Sequence, residues 1–298
     1  MAGGDAVRHY RVVHRITHEH PESVAPTYGR ALMLPRDLDE QRVHHVHLHV
    51  DPAPHELRTF TDPSGNTVSW FHVRAAHTRL EVVGESLVSV DRPFTSPATL
   101  PQLPWDQVVG LVRGVRTTGR PGDGTHPSPQ DVLDITSGAL PSELVPLSDD
   151  TQAFALDTFA PGQPLARAVV ALSARLRRIP GPRSCHDDAH LMLSALRSLG
   201  LAALLVSGYR AGDDGTASLH AWVAVWFPGV GWVHLDPATD SYIDDHHLIL
   251  GWGRDLNDVT PLHGITYGGT TESESGDTVE MMPLTVEELA VRLGRLES

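Results

Sequence analysis

The 298-residue chain contains one cysteine, Cys185, so no internal disulfide can staple it. That usage agrees with a reducing compartment, and a chain of this length buries a core large enough to need no staples. No stretch approaches the roughly 20 apolar residues of a membrane span. The start, from Met1 to His9, lacks the apolar run of a secretory signal. A formal net charge of -14 opposes general nucleic-acid binding, which needs clustered basic side chains to displace counterions from phosphates. These absences predict a cytoplasmic, soluble protein that works on neither membranes nor nucleic acids, with room for two modest domains or one large one.

What is present centres on the single thiol. After the break at Gly181-Pro182, residues Ala189, Met192, Leu193, Leu196 and Leu199 recur at helical spacing, which places Cys185 in the first turn of a buried helix ending near Gly200. Unpaired backbone N–H groups and the positive end of the helix dipole favour a thiolate there. A thiolate needs an imidazole to carry protons and a third group to orient that imidazole. Residues 218–226 read as a strand with His220 near its start, and residues 231–236 as a second strand ending in Asp236. The turn Pro228-Gly229-Val230-Gly231 makes a hairpin of the two, which brings His220 and Asp236 close.

Four motifs follow in order: Cys185-His186-Asp187-Asp188-Ala189-His190, Val206-Ser207-Gly208-Tyr209, His220-Ala221-Trp222, and Gly231-Trp232 with Asp236-Pro237. In this order they resemble the core of bacterial transglutaminase-like proteins, over roughly the C-terminal half. The later stretch 253–259 resembles that family's segment after the triad. The resemblance implies Cys185 as nucleophile, His220 as general base and acid, and Asp236 as the orienting carboxylate, with no cofactor and no metal. Asp187 and His190 match as well and are expected to hold the helix start.

Residues 10–90 alternate apolar and polar positions between turn signals, the clearest being Asp62-Pro63-Ser64-Gly65-Asn66, and read as a small antiparallel sandwich. Through His14, Thr17, Leu34-Pro35-Arg36, that turn and Arg79-Leu80-Glu81-Val82, the region resembles the N-terminal module of the same family. His45, His47 and His49 share one face of a predicted strand, and Asp244-Asp245-His246-His247 forms a second histidine cluster; both are expected to be structural surface rather than metal sites. The family pattern also carries a histidine near His247. Pro93, Pro97, Pro101 and Pro104 and the Gly/Pro/Thr/Ser-rich stretch 117–130 interrupt regular structure, although residues 105–115 could form a short helix. Residues 165–177 predict a helix with arginines suited to its C-terminal end.

The expected fold is therefore α+β. An N-terminal antiparallel β-sandwich (1–95) and a connector with little regular structure (96–160) precede a transglutaminase-like, papain-related core (161–298), whose nucleophile sits at a helix N-terminus packed on an antiparallel sheet. The expected chemistry is thiol-dependent acyl transfer on amide bonds of a protein or peptide substrate, as a protease or transamidase. A non-catalytic binding or assembly protein that keeps the fold is the alternative. Two departures from the family pattern bear on the cleft. Only residues 179–184 separate the preceding helix from Cys185, and Leu201-Ala202-Ala203-Leu204-Leu205 stands where similar proteins have Ile-Pro-Ala-Arg, which removes one polar group before the next strand. Residues 270–277 are expected as a loop and residues 285–296 as a terminal helix.

Overall fold

The computed structural model describes residues 7–122, 124, 127–212, 216–267 and 274–296. Six strands come first: β1 (Arg8–Val24), β2 (Thr27–Ala31), β3 (Gln41–Asp51), β4 (Glu56–Thr61), β5 (Thr67–Val73) and β6 (His77–Val90). They form two antiparallel sheets whose inward alternation, for example Val12, His14 and Ile16 on β1, buries a core of Met33, Leu48, Phe71 and Val82 between them. Both sheets are completed from the far end of the chain. Strand β12 (Leu262–Thr266) pairs with β2, and β13 (Glu274–Leu284) with β1.

This corrects the expected division, in which everything after residue 160 belongs to the core. Consecutive elements are usually neighbours in space, and these two strands break that habit. Of the expected loop 270–277, residues 270–273 lie outside the described residues, while 274–277 are the start of β13. Its first half is polar because it runs along an exposed sheet edge, so it shows no apolar alternation.

The connector has more regular structure than expected. Residues 96–160 carry α1 (Trp105–Thr118), which is the short helix expected at 105–115, and also α2 (Pro129–Gly138) and α3 (Asp149–Leu156). Two of the prolines begin helices rather than interrupt them. Pro104 is the N-cap of α1, and Pro129 occupies the first turn of α2 behind a Ser128–Asp131 capping box. Val108, Val112, Val115, Ile135 and Ala155 bury these helices against α4 (Leu165–Leu176) and α5 (Cys185–Ser198), in the larger of the hydrophobic cores.

Helix α5 lies on a five-stranded antiparallel sheet in the order β10-β9-β8-β7-β11, made by β7 (Ala203–Ala211), β8 (Ala217–Phe227), β9 (Gly231–Asp236), β10 (Ser241–Tyr242) and β11 (His247–Gly253). The short α6 (Leu256–Val259) and terminal α7 (Val286–Leu296) complete the described chain. No described helix is long and apolar enough to cross a membrane.

Two carboxamides from the sandwich close the β11 edge of this sheet. Gln41 donates from Nε2 to Ile249 O (2.8 Å) and accepts at Oε1 from Ile249 N (2.6 Å). Asn66, in the Asp62–Asn66 turn, does the same for Trp252, with both bonds at 2.9 Å. An edge strand left open exposes unpaired backbone groups, and here each amide acts as a one-residue strand. Arg36 lies 3.4 Å above the Trp252 ring and donates to Asn66 Oδ1, holding the turn in place.

Gln41 is fully buried, so Gln41→Ala should leave the Ile249 N–H without a partner and its C=O with only the 3.3 Å bond from Arg36 N, and cost about 1–3 kcal/mol. Gln102 bonds only carbonyls of its own exposed loop, and Gln102→Ala should cost less than about 0.5 kcal/mol. Urea midpoints at unchanged slope measure both, and equal costs would contradict the edge-closing role.

Candidate active site

Cys185 is the first residue of α5, held there by its neighbours. Ser184 is the N-cap and accepts from Asp187 N, while Asp187 Oδ2 accepts from Ser184 N and Oγ (2.8 Å each). These bonds hold the Asp187 carboxyl below its ordinary value. His190, expected to share this task, instead accepts from Leu256 N (3.3 Å) and ties α5 to the start of α6.

The short link before Cys185 is anchored by Arg183, which donates to Leu176 O (2.9 Å) and Ile179 O (2.6 Å) and pairs with Asp188 (2.5 Å). A guanidinium from downstream therefore satisfies the end of α4, whereas Arg175 turns to Asp157. Residues 201–205 are buried in the core, so their loss of polarity does not strip the cleft. Buried Arg197 donates to Ala203 O there.

The imidazole and the carboxylate come from adjacent strands. His220 on β8 lies opposite Gly208 on β7. A Cβ on Gly208 would meet Leu248 O at 2.2 Å and the Trp222 ring at 2.3 Å, so the Val-Ser-Gly-Tyr motif keeps the strand bare where the Trp222 ring packs against it. His220 Nε2 donates to Asp236 Oδ2 at 2.9 Å. This leaves Nδ1 for the Cys185 sulfur, with which the ring interacts. Asp236, at the end of β9, is 0% exposed. It also accepts from Thr239 Oγ1 (2.8 Å) and Ala238 N (2.9 Å), in the turn after Pro237.

Burial alone would raise the Asp236 pKa, but the bond from His220, the nearby His247 ring and the bond from Thr239 outweigh it and hold the carboxyl far below its ordinary range. Burial alone would lower His220, yet its bonds to Asp236 and Cys185 raise it to about 9. Burial alone would raise Cys185, yet His186 and His220 together lower it to about 6.

Sequence reasoning set His247 aside as surface. It is buried, with Nε2 3.6 Å from Asp236 Oδ2 and Nδ1 2.8 Å from Asp244 Oδ1. Its ring meets Trp222 edge-on at 5.4 Å. The signal that could have found it is a histidine opening an apolar strand, since β11 pairs with β7 beside His220. Arg92, at the exit from the sandwich, donates to Asp244 O (2.6 Å) and His247 O (2.7 Å) and so fixes this loop from behind. The other cluster, His45, His47 and His49, stays on the outer side of β3. Among the described residues, no group of three or more His, Cys, Asp or Glu side chains is placed to hold a metal ion.

A thiol at a helix start, facing an imidazole and a carboxylate on an antiparallel sheet, is the architecture of the transglutaminase-like, papain-related class. Comparison with known proteins agrees. Residues 10–89 match the bacterial transglutaminase-like N-terminal region, and residues 163–237 match the transglutaminase-like superfamily. An uncharacterised protein of Mycobacterium tuberculosis is 31% identical over 309 residues, covering 92% of each chain. One from Mycobacterium leprae is 27% identical over 301 residues, covering 92% of this chain and 98% of its own. The crystal structure of a candidate cysteine protease from Cytophaga hutchinsonii shares the fold, with a TM-score of 0.70 at 18% identity over 95% of this chain and 92% of that one. The chain belongs to the bacterial transglutaminase-like family.

Cys185 ionises as pH rises through about 6, and His220 loses its proton as pH rises through about 9. The thiolate–imidazolium pair therefore populates the window between. Because Cys185 is the only cysteine, its alkylation by iodoacetamide can be followed without interference. The rate should rise with a midpoint near 6, with a second inflection near 9 that is lost in His220→Ala. A single midpoint near the unperturbed thiol value of about 8.5 would contradict the assigned electrostatics.

Proposed function

We propose that the protein is a thiol-dependent acyl-transfer enzyme acting on amide bonds of protein or peptide substrates, with Cys185 as nucleophile, His220 as acid and base, and Asp236 as the orienting carboxylate. The observation that carries this reading is a half-buried thiol, lowered to about 6 by neighbouring imidazoles that include His220, whose Nε2 donates to a fully buried Asp236. A structural cysteine would need neither the imidazole nor the carboxylate.

The Cys185 thiolate attacks the substrate carbonyl, and the backbone N–H groups of the first turn of α5 face the oxyanion that forms. His220 gives its proton to the departing amine or ammonia as the C–N bond breaks. The acyl-thioester then passes to water or to an amine, with His220 taking the proton of the attacking group. Asp236 keeps Nε2–H engaged throughout, so that Nδ1 is the nitrogen that exchanges protons with sulfur and substrate.

Hydrolysis is the favoured outcome. The six residues before Cys185 are too few to build a long flap, and Arg183 pins them to the ends of α4 and α5. Water at tens of molar then reaches the thioester, whereas an amine must first bind. All 23 Lys and Arg positions of the chain are arginine, so no lysine side chain of this chain can serve as acceptor.

Incubation with glutamine-containing peptides and a labelled primary amine, followed by mass spectrometry, separates the reactions. Ammonia release or peptide cleavage should exceed amine incorporation, and both should vanish in Cys185→Ala. Asp236→Asn should lower both together, by on the order of 100-fold or more, because they share one acyl-enzyme. Incorporation far above hydrolysis would point to a transamidase. The absence of any Cys185-dependent product across a broad peptide pool would favour a binding protein that retains the fold.

A further inference from the structure

Cys185 faces two imidazoles. His186 is the next residue along α5, and its Nδ1 lies 4.0 Å from the Cys185 sulfur. The helix does not impose this contact, because successive side chains project about 100° apart. It follows from how the first turn is secured. Ser184 and Asp187 are locked into each other, and His190 is bound to the start of α6. Of the polar side chains from Ser184 to His190, His186 is the one that reaches the sulfur from α5 itself, while His220 reaches it from β8.

We propose that His186 is a second thiolate-holding residue: its Nδ1–H donates to the Cys185 sulfur and keeps the nucleophile ionised independently of His220. This rests on the reading of Cys185 as the nucleophile and adds to it a residue outside the Cys185–His220–Asp236 chain. The division of labour follows from geometry. His220 is coupled to Asp236 and must release its proton during each turnover, whereas among the described residues no carboxylate is hydrogen-bonded to His186, which can hold the sulfur between turnovers. The charged and titratable groups around the pair are His220 from β8, Asp187 and His190 on α5, and Asp255 beyond His190. A thiolate with a lower pKa is intrinsically less nucleophilic, but only by about half of the shift on a logarithmic scale, so the reaction gains on the acidic side of neutrality.

The test is the pH profile of Cys185 alkylation in the full-length protein, compared among wild type, His186→Ala, His186→Asn, His220→Ala and the double variant His186→Ala/His220→Ala. His186→Ala should move the acidic midpoint up by roughly one pH unit. His186→Asn, which keeps an N–H donor, should recover part of that shift. His220→Ala should remain below about 8.5 and only the double variant should reach it. A His186→Ala profile superposable on wild type, or His220→Ala alone reaching about 8.5, would overturn the proposal while leaving Cys185 as nucleophile. A wild-type midpoint near 8.5 would overturn the nucleophile reading itself.

Discussion

A fully buried carboxylate constrains the rest of this structure. Asp236 is sealed from solvent, and a charge there is tolerable only if each oxygen finds donors. His220, Thr239, Ala238 and the nearby His247 meet that demand. They come from three local devices: strand β8, the turn after Pro237, and the head of β11. Because His247 and Asp244 are in turn gripped by Arg92, the N-terminal sandwich reaches to within two side chains of the proposed chemistry. Removing the sandwich would loosen Asp236 and also bare the β11 edge that Gln41 and Asn66 close.

The same carboxylate sets the proton inventory. By holding His220 protonated to about pH 9, it gives the sulfur a cationic neighbour, and the sulfur ionises at about 6 despite its burial. The two groups titrate as a pair. In the proposed reaction this leaves the proton on the imidazole before substrate arrives, where the leaving amine needs it.

The candidate triad was more legible in the amino-acid sequence than the architecture around it. Cys185, His220 and Asp236 stand out because each punctuates an element: the thiol opens a helix after Gly-Pro, and the other two lie at strand ends. His247 was obscured because Asp-Asp-His-His reads as a polar loop, although its second histidine begins an apolar strand. The connector helices were hidden by prolines, which can break a helix from within or start one from its first turn, and composition does not tell the two apart. Strand β2 is only five residues long and follows Pro26. Strands β12 and β13 return across some 170 residues to sheets begun at the N-terminus, and no local pattern carries that information.

The most direct test of the central claim avoids the substrate question by using an activated ester. Mixing the protein with p-nitrophenyl acetate near pH 7.5 and quenching in acid should reveal a burst of nitrophenol approaching one per chain, matched by one acetyl group on the peptide containing Cys185. In His220→Ala the burst should collapse. No burst, acetylation elsewhere on the chain, or a burst indifferent to His220 would contradict a nucleophile activated through the His220–Asp236 pair.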